Sequence, residues 1–262
     1  MKRTMTVLTL LTMAITSLAN AQQPKSAAAA EPDYTGWNTL LTKYYDPAKG
    51  MDYTHLKAND NAALQQLRQS LARVNVPALT KKQQLAYWIN LYNVNVVATV
   101  VEKYPVASIR DISTDPIIRL NVFKKDRVPF GNGMISLQTI ENDRIREGFH
   151  DPRIHFAINC AAKSCPPIRP EAYRGDRIDA QLDDQARKFV GGNGVRIESK
   201  GSDSVAHVTK IMDWFGDDFD KWGGGKTAFL RKYLPAEKSR LMQGDVKFDY
   251  DSYDWALNDW KR

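Results

Sequence analysis

The stretch Asp151–Pro167, DPRIHFAINCAAKSCPP, decides how this chain is read. It carries both cysteines of the sequence, Cys160 and Cys165, and one of its four histidines, His155. Arg153–Cys160 is largely apolar and β-leaning, which predicts a central strand entered through the Asp151-Pro152 turn. Small residues and the rigid pair Pro166-Pro167 follow, so the strand is expected to end at an exposed loop, a common place for chemistry.

Outward from this stretch, helical signals dominate. Upstream, Ser136 is a good N-cap for a helix from Leu137 to about Arg146, with Leu137 and Ile140 inward and Glu141 one residue beyond. An acid in an early turn suits the helix dipole, or it points inward as an acid, base or ligand. The strongest helix is Lys81–Lys103, where Leu85, Trp88, Ile89, Tyr92, Val96 and Val100 follow helical spacing until Tyr104-Pro105. Asn90 and Asn93 lie beside that stripe. They either tie neighbouring backbone in place or face a pocket near the cysteines.

Further helices are expected near Trp37–Tyr44, at Asn61–Val74, and around Ile178–Phe189 before Gly191-Gly192. Trp214–Trp222 and Thr227–Leu234 read the same way. Ser108–Asp111 and Phe123–Phe130 look like short edge elements around an irregular loop, Ser113–Asn121. Gly194–Glu198 with Val205–Lys210 suggests a hairpin, and Val246–Tyr250 a last strand before an aromatic tail. Strands and helices do not alternate regularly, so the expected fold is α+β: a predominantly helical single domain with a small, mostly antiparallel sheet.

The first 21 residues read as a secretory signal. Lys2 and Arg3 precede a short apolar run, and Ala19-Asn20-Ala21 has the small-x-small form of a cleavage site. Cleavage after Ala21 predicts a periplasmic or secreted protein. Residues 22–33 are then a flexible tether and 34–262 the globular part, with no later segment apolar enough to span a bilayer. Losing Lys2 and Arg3 lowers the formal charge from +7 to +5. The remaining excess is dispersed, without a basic-aromatic patch, so nucleic acid is not an expected partner. A small molecule or peptide is. The sequence names no oligomeric state, and no cofactor motif is present.

Several segments together resemble the DUF547 family of uncharacterised proteins: AYWINLYNV at Ala86–Val94, SLQTIE at Ser136–Glu141 and DPRIHFAINCAAKSCPP itself. KIMDWFGDDF at Lys210–Phe219 and YDWALND at Tyr253–Asp259 extend the resemblance from about Tyr34 to Trp260. It implies no activity, since the family has none established. Members often carry Ile-Glu-His where this chain has Ile140-Glu141-Asn142, which removes an imidazole from that position here.

Three accounts of the cysteines compete. An exported protein with two cysteines suggests a structural disulfide, though so short a loop limits its entropic effect. Alternatively one thiol is a nucleophile activated by an imidazole, in acyl transfer or amide hydrolysis. Strand parity puts His155 and Asn159 on one face and Cys160 on the other, so Cys165, returning beyond the turn, is the expected partner of His155. Glu141 or Asn159 would orient that pair. The third account, a metal held by His155, both thiols and Glu141, is disfavoured because Cys-x4-Cys lacks a second cysteine pair, and no metal is expected. Arg153, Asn90 and Asn93 are the candidate substrate-binding residues. Arg153 suits a carboxylate or phosphate, or else an internal pair with Asp151 or Glu141. His207 is a candidate only through the Cys-before-His order of papain-like enzymes, an analogy.

Overall fold

The computed structural model describes residues 29–112, 121–192 and 194–260. The expected signal, most of the tether, and nearly all of the Ser113–Asn121 loop lie outside the described residues. What is described is α+β.

The chain enters α1 (Thr35–Tyr44), whose Trp37, Leu40, Leu41 and Tyr44 are all buried. A two-residue hairpin, β1 (Tyr45–Asp46) with β2 (Gly50–Met51), turns it into α2 (Tyr53–Asn59) and α3 (Asn61–Ala72). Gly50 sits at φ +99°, where a Cβ would lie 2.1 Å from the carbonyl oxygen of Asn258, so the tail's close approach requires glycine.

The long helix α4 (Lys81–Lys103) has the expected bounds. Thr80 accepts from Gln83 N–H and the Gln83 side chain accepts from Thr80 N–H, closing a capping box. Every residue from Leu85 to Val101 is buried, so α4 is the central rod of the first core rather than a one-faced surface helix. Around it pack α1–α3 and the antiparallel pair β3 (Asp126–Phe130) and β4 (Gly133–Ser136). Ser108–Asp111 is not an edge strand. Ser108 accepts from Arg110 N–H and starts a 3-10 turn, Ile109–Asp111.

Ser136 caps the next segment as expected, accepting from Thr139 N–H. The segment opens as α5 (Leu137–Thr139), widens into a π-helix at Ile140–Arg146 and closes as α6 (Glu147–Phe149). π-Turns are rare and frequent at functional sites, and this one carries Glu141.

The expected central strand Arg153–Cys160 is not a strand. Asp151 accepts from Arg153 N–H, Pro152 takes the first position, and Pro152–Phe156 winds as a 3-10 helix. Beyond it, backbone groups that a sheet would pair are taken by one side chain. Asn93 Nδ2 donates to the Ala157 carbonyl at 2.9 Å, and Asn159 N–H donates to Asn93 Oδ1 at 2.9 Å. A buried amide from α4 substitutes for a neighbouring strand, which the apolar composition did not reveal.

A second core forms downstream. It packs α7 (Ile178–Gly191) against β5 (Val195–Lys200) and β6 (Asp203–Val208), followed by α8 (Ile211–Trp214), α9 (Gly216–Asp220) and α10 (Gly225–Tyr233). β5 and β6 are antiparallel, and β7 (Val246–Tyr250) returns parallel to β6 after the helical crossover. Ile154 belongs to the first core and Phe156 to the second. The signature stretch therefore runs along the seam between them, with His155 at the junction.

Candidate functional site

The loop holding the cysteines is braced from both sides. Asn159 Oδ1 accepts from Ala161 N–H and its Nδ2 donates to the Pro166 carbonyl, each at 2.7 Å. Ala161 takes φ +63°, an uncommon value for a residue with a Cβ. The tail then lies across the loop. Lys163 N–H donates to Ala256 O, Ser164 N–H to Asp254 O, and Asn258 N–H to Ala161 O. The same tail delivers Tyr253, whose hydroxyl lies 3.1 Å from Cys160 Sγ.

Both cysteines are free thiols, with Sγ atoms 2.8 Å apart, and not the bridge of the first account. Cys160 N–H also points to Cys165 Sγ at 2.9 Å. Cys165 is 8% exposed and Cys160 more so. Two thiols this close share one negative charge, so their acidities diverge. Burial pushes the Cys160 thiol up, but hydrogen bonds from Cys165, Tyr253 and Ala162 N–H outweigh it and leave the thiol below its ordinary range. Cys165 is pushed well above that range, by burial first and then by Cys160.

These sulfurs line a cavity of about 140 Å³ together with Tyr92, Glu141, His155 and Tyr253. Phe123, Trp214, Phe215 and Trp255 add to its aromatic wall. Trp214 is 44% exposed and stacks on Trp255 at 5.8 Å, so it stands at the mouth.

Glu141 enters from the π-helix. Burial pushes its carboxyl up to about 7, although Tyr92 and the charge of Arg146 favour the anion. The Tyr92 hydroxyl donates to Glu141 Oε2 at 3.3 Å. A carboxyl poised near neutrality both gives and takes a proton.

His155 is differently placed. Its Nε2 lies 2.8 Å from Asp218 Oδ2, and Arg146 grips the same carboxylate with Nε and Nη2 at 2.7 and 3.1 Å. Burial opposes charge on Asp218, but the hydrogen bonds from His155 and Arg146 prevail and hold its carboxyl well below the usual range. Burial likewise pushes the His155 imidazole down, more than Asp218 raises it. The ring is thus neutral near pH 7. The anionic partner assigns the proton to Nε2, which leaves Nδ1 as the basic nitrogen. The ring also stacks on Phe215 at 4.1 Å.

His155, Glu141, Cys160 and Cys165 are therefore brought to one cavity. Among the described residues no hydrogen bond joins His155 to either sulfur. The parity argument that paired it with Cys165 has no strand to act on. Asn159 acts on the loop backbone. Asn90 and Asn93 lie outside the cavity lining, and Asn90 is bonded in both directions to the Tyr173 backbone. Arg153 is engaged by Asp151, Asp179 and Asp183, the internal pairing of its two expected roles. His207 pairs with Asp249 and Glu198 on the β5–β7 sheet. Among the described residues no group of three or more His, Cys, Asp or Glu is arranged to hold a metal ion.

Sequence reasoning missed Asp218, Tyr253, Tyr92 and Trp214 as site residues. Each lies in or beside a segment that carried the family resemblance, AYWINLYNV, KIMDWFGDDF or YDWALND. That co-occurrence was the available signal.

Residues 76–190 match the family described as "Protein of unknown function, DUF547". The match contains α4, the π-helix, the cysteine loop and most of α7; Asp218, Trp214 and Tyr253 lie beyond it. No curated protein and no solved structure matches the chain. No described helix is long and apolar enough to cross a membrane.

Proposed function

Residues 76–190 of this chain match the DUF547 family, and from the site we propose a thiol-dependent acyl transferase or hydrolase in which Cys160 is the nucleophile. The observation that carries this reading is the cavity that gathers a partly exposed, acidified thiol and a carboxyl poised near pH 7. The nucleophile is Cys160 rather than Cys165 because it is the more exposed residue and the one whose thiolate is favoured.

The steps balance without a cofactor. Cys160 thiolate adds to the carbonyl carbon of an ester, thioester or amide, and the hydroxyl of Tyr253, 3.1 Å from the sulfur, is the donor offered to the developing oxyanion. As the tetrahedral species collapses, protonated Glu141 gives its proton to the departing oxygen, sulfur or nitrogen. The acyl group remains on Cys160. Glu141, now anionic, accepts a proton from an incoming water or acceptor nucleophile, which displaces the Cys160 thiolate. His155 is held neutral by burial, against the pull of Asp218, and its role is to shape the wall and present Nδ1 as a second base.

The substrate is a small molecule or a peptide segment whose reacting group fits a cavity of this size. The signal-like pattern of residues 1–21 supports action in the periplasm or outside the cell, after cleavage following Ala21. The test is a panel of acyl thioesters and activated esters, read by intact mass after acid quench. One acyl group is expected on Cys160, absent in Cys160→Ala and persisting longer in Glu141→Gln. Acylation that survives in Cys160→Ala, or no acylation of any panel member by protein whose Cys160 still alkylates rapidly, would overturn the reading.

A further inference from the structure

The five-residue spacing of the thiols has a second consequence, independent of acyl transfer. Each intervening residue except Ala162 has a backbone group tied to the tail or to Asn159, as described above, and Ala162 forms a bridge with Leu257. Cys165 N–H returns to the Ala162 carbonyl at 3.1 Å. This bracing holds the sulfurs facing each other at 2.8 Å, within about 1 Å of bonding distance. A loop built only to support a nucleophile does not need a second thiol against it. A loop built to be stapled does not leave both of its cysteines lining a cavity.

We propose that Cys160 and Cys165 form a dithiol that undergoes thiol–disulfide exchange with disulfides entering the Trp214-rimmed cavity. Cys160 thiolate attacks one sulfur of a disulfide RSSR, forming the mixed disulfide Cys160–S–S–R and releasing RS⁻. Cys165 loses its proton to Glu141 or to solvent and attacks the Cys160 sulfur. The second RS⁻ leaves and an intrachain Cys160–Cys165 bridge remains. In sum, two protein thiols are oxidised, one disulfide is reduced to two thiols, and a dithiol reductant reverses the reaction.

The acidity order fits this sequence of events. The more exposed cysteine is the better thiolate, and the buried one stays protonated until its neighbour has reacted. The bridge also removes the sulfur that acyl transfer requires, so the oxidised protein is inactive in that reaction.

The experiment uses the full chain, reduced and freed of reductant, then exposed to oxidised glutathione at pH 7. Intact mass and free-thiol content are followed in time. Wild type is expected to lose both thiols and about two daltons, with no lasting glutathione adduct, and to recover both thiols with a dithiol reductant. Cys165→Ser should stop at one stable glutathione adduct, because the resolving sulfur is gone. Cys160→Ser should react at least tenfold more slowly than wild type. Wild type that keeps both thiols, or that accumulates a stable glutathione adduct, overturns the proposal, as does Cys160→Ser reacting at the wild-type rate. Acyl-transfer activity need not exist for any of these readouts, so the two readings fail separately.

Discussion

Two polar clusters meet along α4 and use their hydrogen-bonding groups in opposite ways. On one side, Asn90, Asn93 and Asn95 are fully buried, and each amide is matched on both ends. Asn90 and Asn93 each donate to and accept from backbone, while Asn95 donates to Leu91 O and accepts from Arg68 Nε. On the other side, Tyr92 reaches Glu141, whose carboxyl opens on a cavity shared with two thiols. Buried polarity with every partner present fixes structure. Buried polarity arranged around empty space, with displaced acidities, is the kind that does chemistry. The contrast separates residues only one helical turn apart, and it is testable from both directions.

The structural side should show the largest effect. Replacing Asn93 with Leu removes both amide bonds and leaves the Ala157 carbonyl and the Asn159 N–H unpaired inside the protein. Each such group costs about 1–3 kcal/mol, so the expected loss is about 2–6 kcal/mol in urea unfolding. The cysteine loop hangs from Asn159, so the variant also tests whether loop geometry depends on α4. A change below about 1 kcal/mol would mean that the amide is not the substitute strand partner it resembles.

What the sequence made legible follows the range of the contacts involved. The bounds of α4 were readable because Thr80, Gln83 and Tyr104-Pro105 act locally. The hairpin before the last strand was readable for the same reason. The signature was misread as a strand because, beyond the local cap by Asp151, its backbone is held by Asn93, more than sixty residues away. Cys160, Cys165, His155 and Glu141 were legible as candidates because their side chains are reactive wherever they sit, and the fold brings all four to one cavity. Asp218 and Tyr253 were not, since carboxylates and phenols are common and only folding brings them within 2.8 Å of His155 and 3.1 Å of Cys160.

The chemical side should respond to pH. Glu141 has its folded acidity constant near 7 against an unfolded value of 4.5, so the folded state holds the proton more tightly. Its stabilising contribution is complete below about pH 4.5 and is lost as pH rises through 7. Full burial would make that loss about 3 kcal/mol. Water in the cavity reduces it, so about 1–3 kcal/mol is expected between pH 4.5 and 7.5. Glu141→Gln keeps the shape and removes the titration. The wild-type stability minus that of the variant should therefore fall with rising pH. A flat difference would place the carboxyl in ordinary solvent and take away the proton source of the proposed reaction.

The smallest effect on stability belongs to Trp214, and its value is in dissociating access from folding. The side chain is 44% exposed at the cavity mouth, so Trp214→Ala should change stability by less than about 1 kcal/mol. Alkylation of Cys160 by iodoacetamide, small enough to pass the rim, should keep its rate. A bulky maleimide should label several-fold faster once the indole is gone. Equal acceleration of both reagents would instead mean that the variant loosens the cysteine loop, placing Trp214 with the structural cluster. Acceleration of the bulky reagent alone keeps it with the cavity, as a residue whose packing against Tyr253 and Trp255 limits what reaches the sulfur.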